Sequence, residues 1–89
     1  PPTQAMPLTL NAGLNAVGIP FSNTTYTAEL FCQAARAQNI LVAQIDRWRE
    51  DLGRWDSHLC TTTFNNFTLE RWRGYFISVR PNGGGTFTP

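Results

Sequence analysis

The chain has 89 residues, 42% of them hydrophobic, with seven arginines, no lysine and six carboxylates. That length allows one small domain, burying roughly 60–65% of the surface its unfolded form exposes, so an added covalent constraint is useful to it. A net charge of +1 does not make the broad positive field of a nucleic-acid binder, and no apolar run of about 18 residues offers a membrane span.

Residues 1–7 hold three of the six prolines, which predicts an extended head or linker. The start, "PPTQAMPLTL", has neither the charged n-region nor the apolar h-region of a signal peptide, and the absence of an initial Met suggests an excised piece of something longer. "LTLNAGLNAVGIP" reads as strand, turn, strand, with Asn11-Ala12-Gly13 as the turn and Gly13 free to take a positive φ. On the second strand Leu14, Ala16 and Gly18 point one way, Asn15, Val17 and Ile19 the other. Thr27 is a plausible helix N-cap and Glu29 lies in the first turn. Leu30, Phe31, Ala34, Ala35 and Ala37 give an apolar stripe over about residues 28–38, which Asn39 stops.

"ILVAQIDRW", from Ile40 to Trp48, predicts a strand. Glu50-Asp51-Leu52-Gly53 is a short loop with Gly where a left-handed residue is wanted, and "RWDSHLC" returns as the partner strand. A four-residue loop sets Trp48 opposite Trp55, whereas a three-residue loop with a bulge sets Trp48 opposite Asp56, and the sequence leaves both registers open. "TTTFNNFT" is a polar loop with Phe64 and Phe67 tucked in. Gly74 to Val79 is the last strand, and residues 81–89 read as a flexible Gly/Thr/Pro tail. The order β-β-α-β-β-β is that of an α+β domain over residues 8–80, one helix against a mainly antiparallel sheet.

Cys32 and Cys60 are the natural staple. Paired, they close a loop of about 29 residues worth roughly 3–4 kcal/mol in chain entropy, and they call for an oxidising compartment. Two cysteines with the single His58 leave the usual four-ligand zinc site incomplete, so neither metal nor cofactor is expected. Asn23-Thr24-Thr25 and Asn66-Phe67-Thr68 are glycosylation sequons on turn-rich stretches, expected to face solvent. Asp56-Ser57-His58 contains the letters of a serine triad, but adjacent strand residues point to opposite faces and cannot form a relay. Glu50 and Asp51 sit in a turn, and no helix follows Gly83-Gly84-Gly85 to make a phosphate loop. No catalytic residue is therefore expected. Trp48 and Trp55 either fill the core of a small sheet or form a platform for a sugar ring, with Arg47, Arg54 or Arg73 bonding its hydroxyls. Trp72, between Arg71 and Arg73, has the composition of a partner contact.

"LNAGLNAVGIP", "IDRW" with "GRWDSH", and "NFTLERWRGYFISV" together resemble a repeat domain of secreted multidomain bacterial surface proteins. Its recurring core runs roughly "L-x-x-G-W-N-L-V-G-I-P … W … W … G-Y-F". The likeness covers about residues 8–80 and implies an extracellular β-rich module, commonly in tandem, with no catalytic residues to carry over. Leu14 and Ala16 stand where the pattern has Trp and Leu, which predicts a light core there, and Trp72 stands where a small residue is usual. The reading that follows is a structural repeat unit of a surface array or filament, with other copies or adjacent repeats as partners. In that reading Met6, Leu8 and Leu10 form a strand that adds to the next copy near Leu14 and Ala16, rimmed by Arg71, Trp72 and Arg73, giving head-to-tail contacts. The strand pairing within its own sheet is the alternative fate of that head. The alternative function is a carbohydrate-binding or adhesive module using the Trp-Arg pairs, with glycans as partners.

Overall fold

A computed structural model describes residues 7–19, 26–70 and 73–88. The elements are β1 (Leu8–Leu10), β2 (Gly13–Gly18), α1 (Ala28–Ala37), β3 (Val42–Arg49), β4 (Arg54–Leu59), β5 (Gly74–Val79) and β6 (Gly85–Phe87). This is an α+β domain in the expected order with one further short strand, and its strands form two antiparallel sheets, β1-β6 and β2-β5-β3-β4.

Local chemistry accounts for α1. The first helical N–H groups have no intrahelical acceptors, and each of the first three finds one here. Ala28 donates to the Phe67 carbonyl at 2.7 Å, Glu29 to Asn66 Oδ1 at 2.8 Å and Leu30 to Thr27 Oγ1 at 3.2 Å. At the other end Asn39 takes φ 65°, the left-handed conformation that ends helices. The buried stripe is Ala28, Phe31, Cys32 and Ala35, spaced i, i+3, i+4, i+7. Leu30, expected in that stripe, is exposed.

The β3-β4 hairpin has the four-residue loop. Trp48 faces Trp55 and Arg49 faces Arg54, and Gly53 at φ 64° donates to the Arg49 carbonyl at 2.7 Å. Along β3 the register against β5 shifts between Val42 and Gln44. That irregularity changes the parity of the alternation, so Val42 and Ile45 are both buried. From Ile45 onward β3 sends Ile45, Arg47 and Arg49 toward the helix side, and Asp46 and Trp48 to the opposite face. Phe64, expected to be tucked in, is 65% exposed, while Phe67 is buried.

The two ends of the domain depart most from expectation. The Asn11–Gly13 turn exists, with Gly13 at φ 99°, but it does not close a hairpin. β1 pairs with β6 (Leu8 with Phe87, Leu10 with Gly85), while β2 pairs with β5. The side chain of Asn15 holds this passage between sheets, accepting from Asn11 N–H at 2.9 Å and donating to the carbonyls of Asn11, Gly13 and Ile77. Residues 85–87 are thus a strand and not a tail. Phe87 is fully buried with its ring centroid 4.6 Å from that of Phe31. A Cβ on Gly83 would lie 2.6 Å from Leu41 Cβ, and one on Gly84 2.8 Å from the Leu10 carbonyl oxygen, so these glycines serve close approach rather than flexibility. The Gln38 side-chain amide closes the end, donating to Thr88 O at 2.7 Å and accepting from Thr88 N at 2.9 Å.

The core lies between α1, the β1-β6 ribbon and the inner face of the large sheet. Cys32 of α1 is bonded to Cys60, just past β4, with Cα atoms 5.7 Å apart, so the helix is stapled to the edge strand of that sheet. No helix among the described residues is long and apolar enough to cross a membrane.

Candidate functional site

Strand alternation divides the side chains of the four-stranded sheet. The inner face, under the helix, takes Tyr75, Ile77, Val79, Ile45 and His58, all buried. The outer face takes Leu14 and Ala16 of β2, Phe76 and Ser78 of β5, Asp46 and Trp48 of β3, and Trp55, Ser57 and Leu59 of β4, as the pairing register dictates. Trp48 and Trp55 are 42% and 45% exposed, so they do not fill the core. They pack edge to face at 5.4 Å between centroids, and Trp55 continues to Phe76 at 4.7 Å. Beside these rings Gly18 pairs with Gly74, and a Cβ on Gly18 would meet nothing within 4 Å. The missing side chains leave an open groove of about 660 Å³, lined by Ala16, Gly18, Phe76, Trp48 and Trp55, with Glu50 and Arg73 also contributing. An aromatic strip with a few polar groups beside it suits a ligand that has both an apolar face and hydroxyls.

The arginines do not gather on this face. Arg47 and Arg54 neighbour Trp48 and Trp55 in sequence, and for that reason point to the opposite side of the sheet, which corrects the expectation that they bond a sugar held on the tryptophans. Arg47 instead lies over the Phe67 ring, 4.5 Å from its centroid, and pairs with Asp56 at 3.3 Å. Arg49 bonds Asp56 at 3.0 Å and also Asp51. The Arg49 hydrogen bonds pull the Asp51 carboxyl down to about 2, and with Arg47 they outweigh partial burial to lower that of Asp56 as well. Of the three arginines proposed for the platform only Arg73 lines the groove.

A second cluster of polar groups is buried beneath α1. His58, with no exposed surface, places Nε2 2.8 Å from Glu29 Oε1 and Nδ1 3.0 Å from the Phe64 carbonyl. Glu29 also accepts from Thr61 N–H at 2.9 Å and from Gln33 Nε2 at 3.2 Å. Burial alone raises the Glu29 carboxyl, but these bonds reverse the sign and hold it below its ordinary value. Both ring nitrogens face oxygen acceptors, so a doubly protonated ring donates to both, and a singly protonated one fits only if Glu29 carries the proton. Cys32 completes the group, with the ligand atoms of Glu29, Cys32 and His58 all within 4.8 Å of one another. Ser57, on the outer face, accepts from Gln44 at 3.3 Å and cannot reach His58.

The structure distributes the remaining expected residues. Leu8 and Leu10 are buried in the domain's own core and paired with β6. The strand thus takes the alternative fate, pairing within its own domain. Leu14 and Ala16 are exposed on the outer face and are not a thin place in the core; Leu14 is 66% exposed. Asn66 is exposed in the loop that caps α1. Met6, Asn23, Arg71 and Trp72 lie outside the described residues. Phe76, Gly18 and Gly74 line the groove without any local sequence signal for it, although the two-residue period from Leu14 and Ala16 reaches Gly18, and the role of Glu29 beneath the helix depends on a contact with His58, 29 residues away. No protein-family model, curated protein or solved structure matches this chain.

Proposed function

We propose that this domain is an extracellular adhesive module whose outer sheet face binds carbohydrate. The observation that carries the reading is the Trp48–Trp55–Phe76 strip lying open to solvent on a face that no described element covers. In a domain this short, leaving two tryptophans half exposed forgoes apolar burial that the fold could use, and such patches mark contact surfaces. Indole rings stack on the C–H face of a pyranose, while Arg73 and Glu50 offer a donor and an acceptor to its hydroxyls. The Cys32–Cys60 bond fits an oxidising compartment, and the exposed sequon at Asn66 is a glycan acceptor where the host has the machinery. A glycan array followed by titration of tryptophan fluorescence tests the reading. Trp48→Ala and Trp55→Ala should each abolish the response and leave far-ultraviolet circular dichroism unchanged, since neither ring supports the core. A wild-type chain indifferent to every glycan would overturn it.

A second reading keeps the domain as a structural unit of a surface array or filament, with the outer face joining copies or adjacent repeats. Leu14, exposed on β2 beside the groove residue Ala16, adds apolar surface at the sheet edge and favours a flat protein contact. Sedimentation at rising concentration separates the two, because an assembly unit associates and its Leu14→Asp variant does not.

A further inference from the structure

The junction beneath α1 supports a site that the count of two cysteines and one histidine left incomplete. Glu29 and Cys32 are three apart on α1 and share one helix face. His58 is on the inner face of β4 and Cys60 lies just past the end of that strand. The two pairs meet, since Cys32 is bonded to Cys60 and Glu29 to His58. We infer that Glu29, Cys32, His58 and Cys60 form a zinc site when the disulfide is reduced, so that this junction is held by a sulfur–sulfur bond in one redox state and by a metal ion in the other.

Five features carry the inference. The donor set is two thiolates, an imidazole and a carboxylate, each an ordinary zinc ligand. Bonds of about 2.0–2.3 Å in a tetrahedron place ligand atoms roughly 3.3–3.8 Å apart, and the three atoms already within 4.8 Å reach that spacing by small side-chain rotations. The Phe64 carbonyl fixes the ring of His58. It can only accept, so Nδ1 carries a proton and Nε2 is the coordinating atom, which is the usual outer-shell arrangement of a zinc-bound histidine. Gln33 donates to the second oxygen of Glu29, holding the carboxylate with Oε1 toward the ring. His58 and Cys32 are buried, so the ion is shielded from bulk water.

The chemistry balances. A dithiol reductant supplies two electrons and two protons to the Cys32–Cys60 bond and leaves as its own disulfide. The two thiols formed then lose those protons as the divalent ion binds, and the proton between Glu29 and His58 is lost from Nε2 in the same step. Oxidation by a disulfide of suitable potential runs the exchange in reverse and expels the ion.

The test uses the whole chain, reduced anaerobically with a phosphine and titrated with cobalt(II) as a zinc surrogate. One equivalent should give intense tetrahedral d–d bands with a thiolate charge-transfer band, and excess zinc should bleach both. The oxidised chain should give neither. Glu29→Gln should keep the thiolate band and weaken binding by at least about tenfold, and Cys32→Ser with Cys60→Ser should lose the band altogether. Should reduction unfold the chain, zinc has to restore its circular dichroism. Failure of the reduced chain to bind cobalt, or affinity unchanged in Glu29→Gln, overturns the site. The outcome is independent of the carbohydrate reading, whose groove is on the other face of the sheet.

Discussion

Replacing Phe87 with alanine separates a strand from a tail. Phe87 has no exposed surface and sits in an aromatic cluster, 4.6 Å from Phe31 and 5.8 Å from Tyr26 between centroids. Truncating a buried phenylalanine costs about 3–5 kcal/mol, the larger figure applying where the site does not collapse. Here the walls are a helix and a two-stranded ribbon, and the ribbon can relax inward, so the lower half of the range is expected. A domain of this length has a total stability of roughly 4–13 kcal/mol. The variant should therefore lose between a quarter and nearly all of it, lowering the melting temperature by more than about 10 °C. Urea denaturation followed by intrinsic fluorescence, with the disulfide intact, measures the loss directly, and the slope should stay that of the parent if both unfold in two states. A midpoint within experimental scatter of the parent would mean that residues 85–87 are dispensable and that the Gly/Thr/Pro composition describes a free end after all.

Gly84→Ala should destabilise by about 1–3 kcal/mol, because its Cβ would meet backbone atoms of Leu10 and Ala12 at 2.8 and 3.1 Å. Gly18→Ala, with open space around the added carbon, is the matched control and should be near neutral in the same melts. The Glu29 carboxyl is lowered in the folded chain by its hydrogen bonds to His58, Gln33 and Thr61 against the opposing effect of burial. Its contribution is therefore present in full above the unfolded value of about 4.3 and is lost as pH falls through the folded value. Urea midpoints measured from pH 6 downward should drop across that acid range, and Glu29→Gln should show a shallower acid limb. Equal slopes for the two chains would remove Glu29 from the acid dependence.

How far the sequence could be read depended on whether the deciding contact was local. Thr27, Asn39 and Gly53 act through their immediate neighbours, and their helix and hairpin ends were legible. So was β5, where Tyr75, Ile77 and Val79 alternate without interruption. Pairing between the ends of the chain was not legible. Leu8-Thr9-Leu10 and Gly85-Thr86-Phe87 are three residues each, too short to carry a period, and a glycine run has the same composition whether it links domains or lets backbones touch. The tryptophans failed for another reason. Alternation puts Trp48 opposite Arg47 whichever way the sheet is turned, and only the position of α1 decides which of the two is covered. The irregularity at Ala43 hid even that, because it breaks the parity that would have tied Trp48 to the buried Val42.

The pairing of Leu8 with Phe87 has a mechanical meaning. Chain arriving at β1 and chain leaving β6 do so side by side, so a pull applied through both would part the two strands from one end, a bond at a time, rather than shear them all at once. The ribbon would open at low force and release Phe87 from its cluster. The load would next reach α1 and the large sheet, where the Cys32–Cys60 bond removes the intervening residues from the length that can be drawn out. In a force spectrometer, reduction should add the contour of those residues to the extension while leaving the first, ribbon-opening event where it was.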